Sequence, residues 1–272
     1  MEIDSVTEII RDVGHVEVLG RFGALDSGDI SEKHAGDLVT VADVAAEREL
    51  TRRLTPLVPG STVVGEEGVH ADAAALGALT GSGPVWVIDP IDGTVNYTRG
   101  IPMFAVMVAL VVGGRTVAAW IHDPYHRRTA VAEAGSGARL DGRPMQVRSG
   151  PRRPSELTGA IYAGKFATPE LSAHVHARKA ALHPIRTIAC AGFEYLRLAG
   201  GGTDFALFTR TMPWDHLPGI LIHAEAGGWT RRIDHSAYLP ARPGGPALLI
   251  ASDEPTWSQV HQALIGDWSE PG

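Results

Sequence analysis

Internal disulfides are excluded at once. The 272 residues include one cysteine, Cys190, so the fold must rest on its buried core, as in proteins of reducing compartments. Long apolar runs are also missing. The longest, Met103 to Val112, has ten residues, about half of the ~20 that a membrane-spanning helix needs, and reads as a buried central strand. Positive charge is in deficit, with 24 basic against 31 acidic residues and a net charge of −7, which argues against nucleic acid as the main partner. The opening Met1-Glu2-Ile3-Asp4 is acidic where a secretory signal would be basic and then apolar. A cytoplasmic protein, with neither a membrane nor nucleic acid as partner, is therefore expected. No internal repeat is evident. With 44% hydrophobic and 20% charged residues, the composition is that of an ordinary globular chain. It is long enough to bury a large core in one domain or two tightly joined halves.

What is present is concentrated in one run. Residues 86 to 94 read Trp-Val-Ile-Asp-Pro-Ile-Asp-Gly-Thr, with Asp89 and Asp92 three apart after the apolar Val85 to Ile88. Carboxylate oxygens are hard ligands that suit Mg²⁺, a cation that favours sites shared with substrate phosphates. Gly93 and Thr94 then fall where a helix should open, and a helix start offers free N–H groups and a positive dipole end to an anion. One turn thus offers a metal seat and a phosphate seat. The two residues between the aspartates separate this run from the Asp-x-Asp phosphatases that form an aspartyl-phosphate. A strand ending in a tight Asp-Gly turn remains the plainer alternative.

Two further acidic clusters bear on that choice. Gly65-Glu66-Glu67-Gly68 follows the β-prone Ser61 to Val64 and precedes an Ala-rich segment. It reads as a ligand source or as a solvated acidic loop. Pro213-Trp214-Asp215 opens a helically spaced stretch through Leu217, Ile220, Leu221 and Ala224, so Asp215 is either a site carboxylate or simply the helix N-cap.

Periodicity supplies a coarse layout. Val6, Ile9, Ile10, Val13 and Val16 mark a first amphipathic helix, and Ala46, Leu50, Leu54 and Leu57 a second, stopped by Pro56 and Pro59. Strands are expected at 85–88, 103–112, 116–122 and 128–133, and a helix near Trp257, Val260 and Leu264. Ser149 to Pro154 is the best linker candidate. It divides the chain into an N-terminal α+β half, 1–150, and a C-terminal α/β half, 151–272.

Together, Gly65-Glu66-Glu67, Asp89-Pro90-Ile91-Asp92-Gly93-Thr94 and Trp214-Asp215 through Glu225-Ala226-Gly227-Gly228 resemble the inositol monophosphatase family. The order and separations match, and Asp37 to Asp43, Gly100 to Val106, Gly135 to Ala138 and Asp141-Gly142 fill the gaps. The resemblance implies a layered αβαβα sandwich of the inositol monophosphatase and fructose-1,6-bisphosphatase type, with the site between the halves. It implies a Mg²⁺-dependent phosphomonoesterase acting on a small phosphorylated metabolite, with two or three ions per site, a homodimer and sensitivity to Li⁺. Glu66, Asp89 and the carbonyl of Ile91 would hold one ion, and Asp89, Asp92 and Asp215 a second. Glu66 and Thr94 would orient and deprotonate the attacking water, with Asp43 behind Thr94, and the amides of Gly93 and Thr94 would cradle the phosphate.

The substrate wall is less complete. Ala189-Cys190-Ala191 matches a family turn that touches the substrate. The family's polyol-binding glutamate, seven residues before the last aspartate, is Phe208 here. That departure either points away from inositol 1-phosphate and towards histidinol phosphate, a nucleotide 3′-phosphate or a sugar bisphosphate, or leaves Phe208 packed in the core with the register shifted by one or two residues. A non-catalytic binding protein on the same scaffold is a third reading. Lys165, Glu194 and Arg210 are candidates for other polar contacts, and a cation there would suit a second anionic group. Lys33 reads as a site residue or a solvated lysine, and Glu67 as a support behind Glu66 or a surface acid. His122, His126 and His223 read as surface or packing residues, since a carboxylate Mg²⁺ site needs no imidazole.

Overall fold

The computed structural model describes residues 2–26, 28–34, 37–162, 164, 166–266 and 268, the side chains of 34 and 37 excepted. Helix α1 (Ile3–Val13) buries Val6, Ile10 and Val13, then widens into a π-helical turn at Gly14–Val18. The wider turn carries the apolar stripe from Val13 to Val18, so Val16, expected on that stripe, is 53% exposed. A hairpin of β1 (Ile30–His34) and β2 (Asp37–Thr40) leads into α2 (Val41–Leu54). Ala42, Ala46, Leu50 and Leu54 form its buried face, and it ends in a short 3-10 turn containing Pro56.

The next strands, β3 (Thr62–Gly65), β4 (Val85–Asp92), β5 (Ala105–Val112), β6 (Arg115–Asp123), β7 (Arg128–Glu133), β8 (Ala138–Leu140) and β9 (Arg143–Pro144), lie side by side in chain order as one sheet. Only the β3–β4 pair is parallel. Two short helices, α3 (Glu66–Ala71) and α4 (Thr94–Thr98), leave the ends of β3 and β4. Ser149 to Pro154 fall between this sheet and a second of five strands. That sheet consists of β10 (Thr158–Tyr162), β11 (His183–Ile185), β12 (Phe205–Phe208), β13 (Trp229–Arg232) and β14 (Leu248–Ala251), in the order β11-β10-β12-β14-β13. Its helices are α5 (Pro169–Arg178), α6 (Ala191–Ala199), α7 (Pro213–Glu225) and α8 (Glu254–Leu264).

Side-chain alternation along the strands sorts these helices into layers. On β4, Trp86 and Ile88 pack with Val6, Ile10, Ala46 and Leu50 of α1 and α2. Val85 and Val87, one residue out of phase, face the cluster that holds Tyr195 and Leu198 of α6 and Leu217 and Ile222 of α7. The same cluster takes Ala206 and Phe208 from β12. Phe205 and Leu207 point the other way, onto Leu171 and Val175 of α5 and Trp257 and Val260 of α8. The order is helices, sheet, helices, sheet, helices, the αβαβα sandwich that the resemblance implied. Among the described residues no helix is long and apolar enough to cross a membrane.

Candidate active site

Asp89 and Asp92 are an odd number of residues apart and would face opposite sides of a regular strand. The β4–β5 register prevents this. Asp89 pairs with Met107 and Asp92 with Ala105, so three steps on β4 oppose two on β5. The extra residue is a bulge, and Pro90, with no N–H to donate, fits such an interruption. The bulge turns both carboxylates to the same side. There they meet Asp215, and all three offer oxygens within 4.8 Å of one another.

Asp215 arrives from α7, whose N-cap is Met212. Asp215 is the third residue of the helix, in its first turn, and is not its cap, so the capping alternative fails and the carboxylate joins the cluster. Asp92 is held from the opposite side: Ala191 N and Gly192 N donate to it at 3.1 and 2.6 Å, and the Cys190 thiol at 2.9 Å. Cys190 is 2% exposed, and burial beside Asp92 pushes its thiol pKa well up, so it is a donor here and not a nucleophile.

Glu66 opens α3 and lines the same cavity of about 530 Å³, but stands outside the tight cluster. Lys33 Nζ pairs with it at 3.1 Å and Arg210 Nη2 at 3.8 Å. The Lys33 side chain is 3% exposed and also pairs with Glu67 at 2.5 Å, which rules out the solvated-lysine reading and places Glu67 behind Glu66. Burial lowers the Lys33 pKa, but the two glutamates outweigh it and the net shift is upward. Thr94 Oγ1 donates to the Ile91 carbonyl at 2.9 Å and stands 3.5 Å from Asp43 Oδ1. The other Asp43 oxygen accepts from Thr40 N and Thr40 Oγ1 at 2.8 and 2.6 Å, closing the capping box of α2.

Gly93 precedes α4 with φ +88°, a region closed to most L-residues. A methyl there would also fall 2.9 Å from the Met103 carbonyl oxygen and 3.1 Å from Cys190 Cβ. Glycine therefore sets the close approach of this turn to Ala189 and Cys190.

On the substrate wall, Phe208 is 4% exposed and stacks between Tyr162, at 4.9 Å, and Tyr195, at 5.9 Å. On β12 it pairs with Tyr162 of β10 and Leu248 of β14, and so belongs to the core between the sheets while also lining the cavity. Glu194 does not reach the cavity. It is 1% exposed, paired with Arg197, and accepts from Tyr162 Oη at 3.0 Å and Ile188 N at 3.1 Å. The expected polar contact is thus corrected to a support: Glu194 orients Tyr162, whose hydroxyl oxygen in turn accepts from Ala189 N at 3.1 Å. Arg210 lines the cavity; Lys165 lies outside the described residues. His122 Nδ1 meets Thr129 Oγ1, His126 Nδ1 meets Asp123, and His223 is fully buried, so all three pack away from the cluster.

Two positioning residues escape a reading of the motifs. Glu47 accepts from Glu67 N and Gly68 N, both at 2.7 Å, and so anchors the start of α3 beneath Glu66. Asn96 Nδ2 donates at 2.8 Å to the carbonyls of Met103 and Ile188, tying the α4 turn to the loop before α6. Glu47 left a signal: it is four residues after Asp43, so two acids share one helix face beside the apolar Ala46 and Leu50.

The residues present fit a hard divalent cation. Asp89 is 1% exposed and its Oδ1 is buried with no hydrogen-bond partner, an expensive arrangement for a carboxylate unless a charge compensates it. The donors are all oxygens, which suits Mg²⁺. Burial, then the neighbouring acids, raise the pKa of Asp89; burial also raises Asp92, and pushes Asp215 up to about 8. Burial likewise lifts Asp43 and Glu47 to about 7.

Because these folded-state pKa values lie above the unfolded ones, these carboxylates hold more protons in the folded protein without metal between about pH 4 and 8. The buried His122, His216 and His223, whose pKa values burial lowers to about 4, 4 and 3, hold fewer below about pH 6.5. Above about pH 6.5 the carboxylates are unopposed by these histidines, so stability falls as pH rises from there to about 8, and cation binding, which displaces the protons, strengthens. The expected result is a melting temperature in EDTA that declines from about pH 6.5 to 8, with Mg²⁺-induced stabilisation growing over the same range. A flat Mg²⁺ effect across that range would show that these carboxylates do not bind the cation.

A profile of the inositol monophosphatase family matches residues 5–268. The chain is 34% identical over 252 residues to the inositol-1-monophosphatase SuhB of Mycobacterium tuberculosis, covering 88% of this chain and 82% of the relative. It is 29% identical over 233 residues to the fructose-1,6-bisphosphatase/inositol-1-monophosphatase of Thermotoga maritima, covering 83% and 82%. Among solved structures, the extragenic suppressor protein SuhB of Bartonella henselae superimposes with a TM-score of 0.84 at 26% identity, over 98% of this chain and 99% of that one. Motif order, chain path and likeness along nearly the whole length agree, and the chain belongs to the inositol monophosphatase family of phosphoric monoester hydrolases.

Proposed function

We propose that the chain is a Mg²⁺-dependent phosphomonoesterase that hydrolyses a small phosphorylated metabolite with two metal ions. The observation that carries this is Asp89, buried with an unpartnered oxygen against Asp92 and Asp215. Bound Mg²⁺ would supply Lewis acidity, polarising the phosphoryl group and making a water acidic enough to react near neutral pH. Asp89, Asp92, Asp215, Glu66 and the Ile91 carbonyl would hold the ions. Glu66 would take the proton of the attacking water, Thr94 would orient that water by accepting its hydrogen bond, and Asp43, behind Thr94, would hold the hydroxyl in place. The Gly93 and Thr94 amides would orient the phosphate. Residues 1–150 would bring most of these groups, and 151–272 would complete the site with Asp215. The active species would be a cytoplasmic homodimer, which light scattering of the purified protein would check.

Phe208 favours a substrate other than inositol 1-phosphate. An aromatic ring cannot accept from polyol hydroxyls, and each hydroxyl left without an acceptor costs about 1–3 kcal/mol. Phosphate release should be measured with Mg²⁺ or EDTA on inositol 1-phosphate, histidinol phosphate, a nucleoside 3′,5′-bisphosphate and fructose 1,6-bisphosphate. Inositol 1-phosphate is expected to rank roughly tenfold or more below the best substrate in kcat/KM. If it ranks first, Phe208 does not set specificity. Mg²⁺ binding without release from any member would favour a non-catalytic binding protein.

A further inference from the structure

Among the described residues that line the cavity, Arg210 is the only lysine or arginine. Its backbone is fixed: His216, 1% exposed, meets the Arg210 carbonyl through Nε2 at 2.8 Å, while Nδ1 meets Tyr195 Oη at 2.9 Å. Its guanidinium is 54% exposed, and its contacts include two long ion pairs, Nη2 to Glu66 at 3.8 Å and Nε to Asp215 at 3.7 Å. Exposed pairs of that length are weak. Glu66 and Asp215 are also the acids that the proposed metals would claim. A divalent cation there would replace attraction by repulsion, and the guanidinium would be driven from the carboxylates while its backbone stayed anchored at the cavity wall.

We infer that Arg210 is a cation-displaced arm: it pairs with Asp215, and with Glu66 beside Lys33, before the metals bind, and once displaced it binds a second anionic group, carboxylate or phosphate, on the substrate's leaving alcohol. This rests on the phosphatase reading above. The rest of the wall agrees with it. Ile161, Tyr162, Thr187, Phe208 and Thr209 contribute apolar surface and hydroxyls, and the carboxylates lining the cavity are Glu66, Asp89, Asp92 and Asp215, all on the metal side. A polyol finds few acceptors there, whereas an anion finds a planar five-donor fork.

The test is equilibrium binding by calorimetry, with Ca²⁺ replacing Mg²⁺ to limit turnover. The probes are 2-glycerol phosphate, which lacks a second anion, 3-phosphoglycerate, which adds a carboxylate, and fructose 1,6-bisphosphate, which adds a phosphate. The wild type is expected to bind at least one of the latter two about tenfold more tightly than 2-glycerol phosphate, and whichever is preferred identifies the anion. In Arg210→Met, checked for folding by circular dichroism, that preference should shrink to within about twofold. Its affinity for Ca²⁺ alone should rise about threefold or more, because the competing cation is gone. Arg210→Lys should recover part of both effects.

No preference in the wild type, or a preference that survives in Arg210→Met, would overturn the inference. So would an unchanged Ca²⁺ affinity in that variant. Phosphate release with Mg²⁺, measured in parallel, separates the two readings. Preference without release from these probes or from any member of the substrate panel above would sink the phosphatase reading and leave the anion contact of Arg210, and release without preference would do the reverse.

Discussion

An Asp89→Asn variant is expected to lose Mg²⁺-dependent phosphate release by about 10³-fold or more, yet to melt higher than the wild type in EDTA. Both effects come from one unsatisfied charge. Asp89 is 1% exposed, one of its oxygens has no partner, and burial followed by Glu66, Asp92 and Asp215 raises its pKa. Without a cation that carboxylate opposes folding, and the asparagine amide both removes the charge and gains donors for Asp215. With Mg²⁺ the order should reverse. A ligand at 100 times its dissociation constant adds about 2.7 kcal/mol to stability, or very roughly 5–10 °C at this chain length, and only the wild type would gain it fully. Crossing melting curves, with the variant higher in EDTA and lower in Mg²⁺, would mark Asp89 as a metal ligand. A variant destabilised in both buffers would mark it as structural, and one with full activity would remove it from the site.

The sequence disclosed the site unevenly, and the reasons are physical. The acids that converge, Asp89, Asp92 and Asp215, were legible because carboxylates are what a hard cation site requires, so they stand out in the motifs. Their convergence was not: it depends on one extra residue in the β4–β5 register, a property of two paired strands that no single segment encodes. Val16 was misplaced for a related reason, because a π-helical turn changes the period from which the stripe was read. Glu194 looked like a wall residue because its distance along the chain was right. Only the packed structure shows Tyr162 standing between it and the cavity. Lys33 carried no local sign that its ammonium would be buried between two glutamates, since those lie 33 and 34 residues away.

Gly65→Ala is expected to cost about 2–4 kcal/mol of stability and to lower kcat about 10²-fold, although residue 65 touches neither metal nor substrate. Gly65 has ordinary extended dihedrals, φ −104° and ψ 156°, so conformational freedom is not the reason for glycine. Space is. A methyl at this position would lie 2.5 Å from both oxygens of the Glu47 carboxylate. That carboxylate cannot yield cheaply, because it accepts from Glu67 N and Gly68 N and its residue is 8% exposed. Moving it would strip two N–H groups at the start of α3 and leave a buried acid short of donors. Glu66 would then shift with its helix, and a displacement of about 1 Å in the group proposed to take the water's proton is enough for the expected loss. Glu47→Gln separates the causes: its amide keeps one acceptor and adds no volume, so it should lose less stability than Gly65→Ala while also weakening Mg²⁺ binding. Denaturant melts and Mg²⁺ titrations of both variants would decide. If Gly65→Ala melts with the wild type, the Glu47 clamp is looser than these distances indicate, and the glycines flanking Glu66 and Glu67 owe their place to something else.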